Sequence, residues 1–132
     1  MRSDGVIRHK IWEEDDYFQM GDKRIDMDPS VVTLPAGCYM VWNYNWDSKP
    51  IGRCFDIRVE DDVITCGVVW MDLTLNDDTP KDLGVRLGGQ YYEVVKNDDG
   101  TRVTHCVLKG VGLFVRPDSI DIPREEVGNG SS

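Results

Sequence analysis

The sequence predicts an all-β protein: a single small β-barrel or sandwich of about seven strands, with bent, Gly-interrupted strands and little helix. Three observations carry that prediction. Helical periodicity is nearly absent along the 132 residues. Short β-branched and aromatic runs recur instead, bounded by clusters of Gly, Pro, Asn and Asp. The longer runs alternate polar and apolar side chains, the period of a strand that buries one face.

The strands follow in order. Residues 5–12 form the first, and a short piece around 17–20 the second. The third, 38–44, is rich in aromatic residues (Tyr39, Trp42, Tyr44). Residues 51–60 alternate, with Ile57 and Val59 facing opposite to Asp56 and Arg58, and Asp61-Asp62 turns the chain into 63–70. Residues 83–96 and 101–115 make the second hairpin, joined by Asn97-Asp98-Asp99-Gly100, which suits a type I turn closed by a left-handed glycine. In its second strand Val103, His105 and Val107 are expected on one face and Thr104, Cys106 and Leu108 on the other, with His105 partly buried. Glycines at 84, 88, 89, 110 and 112 are expected to permit bulges or sharp bends, as a closed barrel needs. One domain over 1–126 is expected, followed by a flexible tail at 127–132 that has nothing to pack.

Composition excludes some functions. Hydrophobic residues at 40% and charged residues at 30% are globular proportions, so the chain is expected to fold unaided. A formal charge of −9 opposes phosphate binding, which makes nucleic acid a poor partner. No apolar run approaches a membrane span, and the N-terminal stretch is charged where a signal peptide would be apolar. The expectation is therefore a chain neither exported by that route nor inserted in a membrane.

Cys38, Cys54, Cys66 and Cys106 include no C-x-x-C pair, and only His9 and His105 could join them as soft ligands, so no metal site is expected. Thiols among apolar neighbours behave as small buried hydrophobes. Reduced, structural cysteines are expected, although four cysteines allow three pairings. The acidic groups at 13–16, 61–62, 77–78 and 98–99 lack calcium-loop spacing and fall at turns, where Asp is favoured locally. No serine occurs from Lys49 to Asp118, so most of the sheet carries no hydroxyl nucleophile of that kind. His105 and Cys106 are neighbours on a strand and point to opposite faces, so they form no dyad with each other. Aromatic Tyr44 and Trp46 adjoin a loop and are contact candidates, whereas Trp42 suits the core.

The segment Val41-Trp42-Asn43-Tyr44-Asn45-Trp46-Asp47-Ser48-Lys49-Pro50-Ile51-Gly52-Arg53 resembles one in tailed-phage prohead proteases. That family's segment reads apolar-Trp/Tyr-Asn-His-Asp, a short polar loop, then Pro-Ile-Gly-Lys/Arg. The likeness continues through the alternating strand and the acidic turn at 60–62. Leu83-Gly84-Val85-Arg86-Leu87 stands where the family has Leu-Ser-Ile-Gly-Phe, and the run 108–117 is similar to its closing strand. The resemblance spans about 37–117 and is most specific from Asn43 to Arg53.

The resemblance implies a β-barrel of the herpesvirus-protease type that cuts scaffold and capsid proteins with a Ser and a His. Tyr44 occupies the place of that His and Gly84 the place of that Ser. A phenol of pKa about 10 is no ready base near neutral pH. The family's helix before the Ser strand is expected to be deleted, leaving only 77–82.

The expectation is thus a non-catalytic head decoration (cement) protein that stabilises the mature capsid. It would bind the major capsid protein, and itself as a homo-oligomer, on the outer virion surface after synthesis in the host cytoplasm. No cofactor is implied. Trp12, Tyr44, Trp46, Lys49 and Arg53 are the expected contacts. The alternatives are a divergent prohead protease using Cys66 or Cys106 with His9 or His105, and a virion neck or tail adaptor.

Overall fold

The computed structural model describes residues 6–115. Their order is β1 (His9–Trp12), β2 (Phe18–Met20), β3 (Lys23–Met27), a 3-10 turn at Pro29–Val31, β4 (Val32–Thr33), β5 (Gly37–Trp42), β6 (Gly52–Glu60), β7 (Val63–Trp70), α1 (Thr79–Leu83), β8 (Val85–Lys96) and β9 (Arg102–Val115). The fold is all-β, with nine strands among the described residues rather than about seven. β3 and β4 carry weak sequence signals, because β3 opens on exposed Lys23-Arg24 and β4 is two residues long. The expected tail at 127–132, and the domain's expected ends at 1–5 and 116–126, lie outside the described residues.

β9 is the spine of the sheet. β8 runs antiparallel along one of its edges, from Val85 opposite Val115 to Lys96 opposite Val103. Along its other edge β3, β4 and β5 pair parallel with it in chain order, at Val103, Cys106 and Val111 respectively. Antiparallel steps then lead from β5 through β6 and β7 to β1, while β2 extends β3. The ladder does not close: β1 and β8 lie side by side but are not joined by strand pairing.

Both expected hairpins are present. Glu60 pairs with Val63 across Asp61-Asp62, with Asp61 left-handed at φ 57°. Gly100, at φ 72°, donates its N–H to Asn97 O at 3.0 Å and closes the second turn. Three expectations about the strands shift in ways that matter for the surface. β5 stops at Trp42, because Asn43 and Tyr44 both adopt positive φ (51° and 58°) and Asn45 N–H returns to Trp42 O at 2.8 Å. Two consecutive left-handed residues make this a tight turn of the I′ kind, so Tyr44 and Trp46 do not continue the parity of Trp42.

The strand expected from 83 begins at Val85, because Gly84 is the left-handed cap (φ 65°) of α1. A short helix, Thr79–Leu83, begins in the 77–82 segment, where no helix was expected. The third shift is one of phase within β9. Between Val95/His105 and Lys96/Val103 the register slips by one residue, which puts Val103 and Cys106 inside together and leaves His105 exposed rather than partly buried. A bulge changes which parity faces the core.

The glycines of β8 and β9 serve close approach more than bending. Gly88 and Gly89 pair regularly with Gly112 and Val111. A Cβ on Gly112 would stand 2.7 Å from the Tyr44 ring, and one on Gly110 would strike the indole of Trp46. The turn after β5 therefore folds its two aromatic rings onto a lane of backbone that has no side chains to hold them off.

Inside, Trp12, Phe18 and Tyr91 pack ring on ring, with centroids 5.1, 5.6 and 6.0 Å apart. Such contacts add about 0.5–1.5 kcal/mol each beyond their burial. Across the gap between β1 and β8, Arg86 reaches from β8 to Asp16 with Nη1 to Oδ1 at 2.8 Å, and its second nitrogen meets the other carboxylate oxygen. Arg86 also donates to Ile11 O at 3.4 Å. Asp16, expected as a solvated turn residue, is instead 7% exposed. Burial disfavours the Arg86 charge, but the hydrogen bonds and field of Asp16 outweigh it and hold the guanidinium above its usual range.

Candidate functional site

The outer face of β5, β6 and β7 carries the exposed groups best suited to contact. Cys38 and Met40, then Cys54, then Cys66 and Val68 are buried on the inner side of these strands, and Val41, Val63 and Thr65 of the other parity are covered as well. Of that other parity Tyr39, Arg53 and Val69 remain exposed, and register aligns Tyr39 with Arg53 and Arg53 with Val69. Tyr39 is 53% and Val69 57% exposed, and the Arg53 guanidinium lies over Gly37, where an added Cβ would stand 3.2 Å from Nη2. Beyond Val69 the chain presents Met71, whose N–H is fixed to Ile51 O at 2.9 Å.

Leu73 follows at 96% exposure, on a turn that Asp72 ties by accepting from Thr74 N (2.9 Å) and Thr74 Oγ1 (2.6 Å). Those two hydrogen bonds hold the Asp72 carboxyl below its usual range. An aromatic, an arginine and Val69 on the sheet, with the exposed Met71 and Leu73 just past its edge, are residue types that could make a contact surface.

The expected contact residues divide among three environments. Trp12 is 2% exposed and packed on Phe18 and Tyr91, so it is a core residue and drops out of the contact set. Tyr44 is half-buried over Gly88 and Gly112, 5.6 Å from the Phe114 ring. Trp46 is 43% exposed and donates its indole N–H to Gln90 Oε1 at 3.0 Å. Lys49 is exposed on the same connection, while Arg53 lies on the β5–β6–β7 face. Tyr39, Val69, Met71 and Leu73 were not among the expected contacts. Parity did not mark them, since β7 is buried at six consecutive positions and Met71 and Leu73 lie past its end.

The thiols and imidazoles have separate settings. His9 on β1 stands opposite Cys66 on β7, which puts both side chains on one side of the sheet. His9 Nε2 lies 2.8 Å from Asp77 Oδ1, and the same oxygen accepts from Trp70 Nε1 at 2.9 Å. Asp77, expected as a solvated turn residue, thus orients a histidine and a tryptophan. Cys66 itself is 0% exposed.

A cleft of about 220 Å³ opens where β1 passes β8, lined in part by His9, Glu13 and Arg86. Its volume falls below the roughly 300 Å³ at which small-molecule pockets begin. His105 points outward to Thr33 Oγ1 at 3.1 Å, and Cys106 points inward to the Met27 sulfur at 3.5 Å. Burial pushes the Cys106 thiol up to about 12. No group of three or more His, Cys, Asp or Glu among the described residues is arranged to hold a metal ion. Nor is any described helix long and apolar enough to cross a membrane.

Compared with known families, curated proteins and solved structures, the chain finds no match.

Proposed function

We propose that this chain is a non-catalytic binding module that docks the outer face of β5, β6 and β7 on another protein. More particularly, we read it as a decoration protein of a tailed-phage head, seated on the major capsid protein at the outer virion surface. One observation carries the first step: the in-register row Tyr39, Arg53, Val69, followed in the chain by exposed Met71 and Leu73. Exposed apolar groups arranged so on a rigid face are costly in water and gain most when covered.

The second step rests on the resemblance to prohead proteases. In its support, β1 lying beside β8 with Arg86 bridging to Asp16 fits a barrel-like body of that type. At the two positions where the family carries its chemistry, Gly84 caps α1 and Tyr44 packs on glycines. A charge of −9 suits an outer position away from packaged DNA. The chain is expected to repeat over the lattice, in contact with capsid subunits and with its own copies. Cryo-electron microscopy of intact particles tests this. Density for the chain on the head surface, with Leu73 and Val69 against the capsid, is the expected result; density at the neck or tail would replace it with the adaptor reading.

A second reading, a divergent thiol protease, has one observation in its favour. His9 faces Cys66 in register and contacts an acid, Asp77. Against it, Cys66 is closed to solvent, and an attacking thiol needs access.

A further inference from the structure

Three thiols meet beneath the docking face. Cys38, Cys54 and Cys66 project inward from β5, β6 and β7, with Cys54 on the middle strand. Cys38 and Cys54 are direct partners in the antiparallel ladder. Direct cross-strand partners have Cα atoms about 4.5–5.5 Å apart, inside the range a disulfide spans. Cys54 is aligned instead with Val68 on β7, so Cys66 sits two residues off, on the diagonal. Diagonal neighbours are about 7–8 Å apart at Cα, beyond comfortable disulfide reach.

We infer that Cys38 and Cys54 are a latent cross-strand disulfide, formed by peroxide-class oxidants, and that Cys66 is excluded from it by register. Cys38 is the entry point. It is the one member of the three with measurable exposure, at 8%, while the other two are at 0%. Its thiol is held below the usual range by the neighbouring Cys54 thiol, assisted by the charge of Arg53, although burial opposes this. Cys54 is pushed the other way by its two thiol neighbours and by burial.

The chemistry balances. The Cys38 thiolate attacks hydrogen peroxide, taking one oxygen as a sulfenic acid and releasing hydroxide. The Cys54 sulfur then attacks that sulfenic sulfur, the S–S bond forms, and water leaves. Two thiols lose two hydrogens, and one peroxide becomes two waters. Tyr39 and Arg53 directly follow and precede the two cysteines in sequence, so the bond would pin together the strands that carry the row on the outer face. The inference holds whatever that face binds.

The test is peroxide treatment of the full, reduced chain, followed by intact mass measurement and peptide mapping without reductant. The expected result is loss of two hydrogens and a peptide linked through Cys38 and Cys54. The link should persist in Cys66→Ala and vanish in Cys38→Ala. A link to Cys66 or Cys106, or oxygen addition with no loss of two hydrogens, would overturn the inference. Should Cys38→Ala not fold, the map of the unmutated chain decides alone.

Discussion

The guanidinium of Arg86 on β8 grips both carboxylate oxygens of Asp16, 70 residues earlier, at the gap that the strand ladder leaves between β1 and β8. Both side chains are nearly closed to solvent, at 5% and 3% exposure. A buried pair of this kind adds little over an apolar substitute, yet removing one partner strands a charge. Asp16→Ala is therefore expected to cost about 3–5 kcal/mol, a large share of the roughly 5–15 kcal/mol that domains possess. The double variant Asp16→Leu/Arg86→Met should recover much of the loss. Urea unfolding of the three proteins checks this, and equal losses in the single and double variants would refute the stranded-charge explanation.

The glycine lane gives a second expectation. Gly112→Ala puts a methyl group 2.7 Å from the Tyr44 ring, an overpacking worth about 1–3 kcal/mol. Gly110→Ala should lift Trp46 from its seat and shift its fluorescence toward that of a solvated indole. Gly84→Ala meets no atom within 4 Å, so its cost should be only the left-handed backbone penalty of about 1 kcal/mol.

Alkaline stability follows from the buried thiol of Cys106. An unfolded thiol ionises near pH 8.5, and this one holds its proton up to about 12. Its stabilising contribution is thus complete below about pH 8.5 and declines as pH rises from there toward 12, because the unfolded state loses its proton first. Each such group adds a slope of up to about 1.4 kcal/mol per pH unit. Cys106→Val should flatten the fall in stability over that window, as read by denaturant titration at a series of pH values.

On the docking face, Leu73→Ser and Val69→Ser remove exposed apolar groups that support no core. Their stability should stay within about 0.5 kcal/mol of the parent. Binding to heads should weaken at least tenfold if these groups sit at the centre of the contact.

The protease reading has its own check. An active-site-directed thiol reagent should label neither Cys66 nor Cys106 in the folded chain, and scaffold and capsid proteins should remain uncut. Labelling of Cys66 together with cleavage would restore that reading.

Much of the fold was legible because it depends on local pattern. Alternation located β6, the Asp61-Asp62 turn led into β7, and Asn97 to Gly100 announced its turn. What pattern could not show were features created by distant contacts. Nothing near Asp16 in sequence signals that Arg86 will enclose it, and nothing around Gly110 indicates that Trp46 will land there. The phase of β9 was misread because a one-residue bulge reverses parity without leaving a residue-type signature. For the candidate site, Arg53 was found through the resemblance. Tyr39 and Val69 were missed because each looks like a core residue in sequence.

Co-sedimentation with purified heads, before and after expansion, most directly tests the proposed role. The parent chain should pellet with expanded heads, and Leu73→Ser/Val69→Ser, folded as well as the parent, should stay in the supernatant. If the parent fails to pellet with heads in either state, or the double variant binds as tightly as the parent, capsid docking through this face is contradicted.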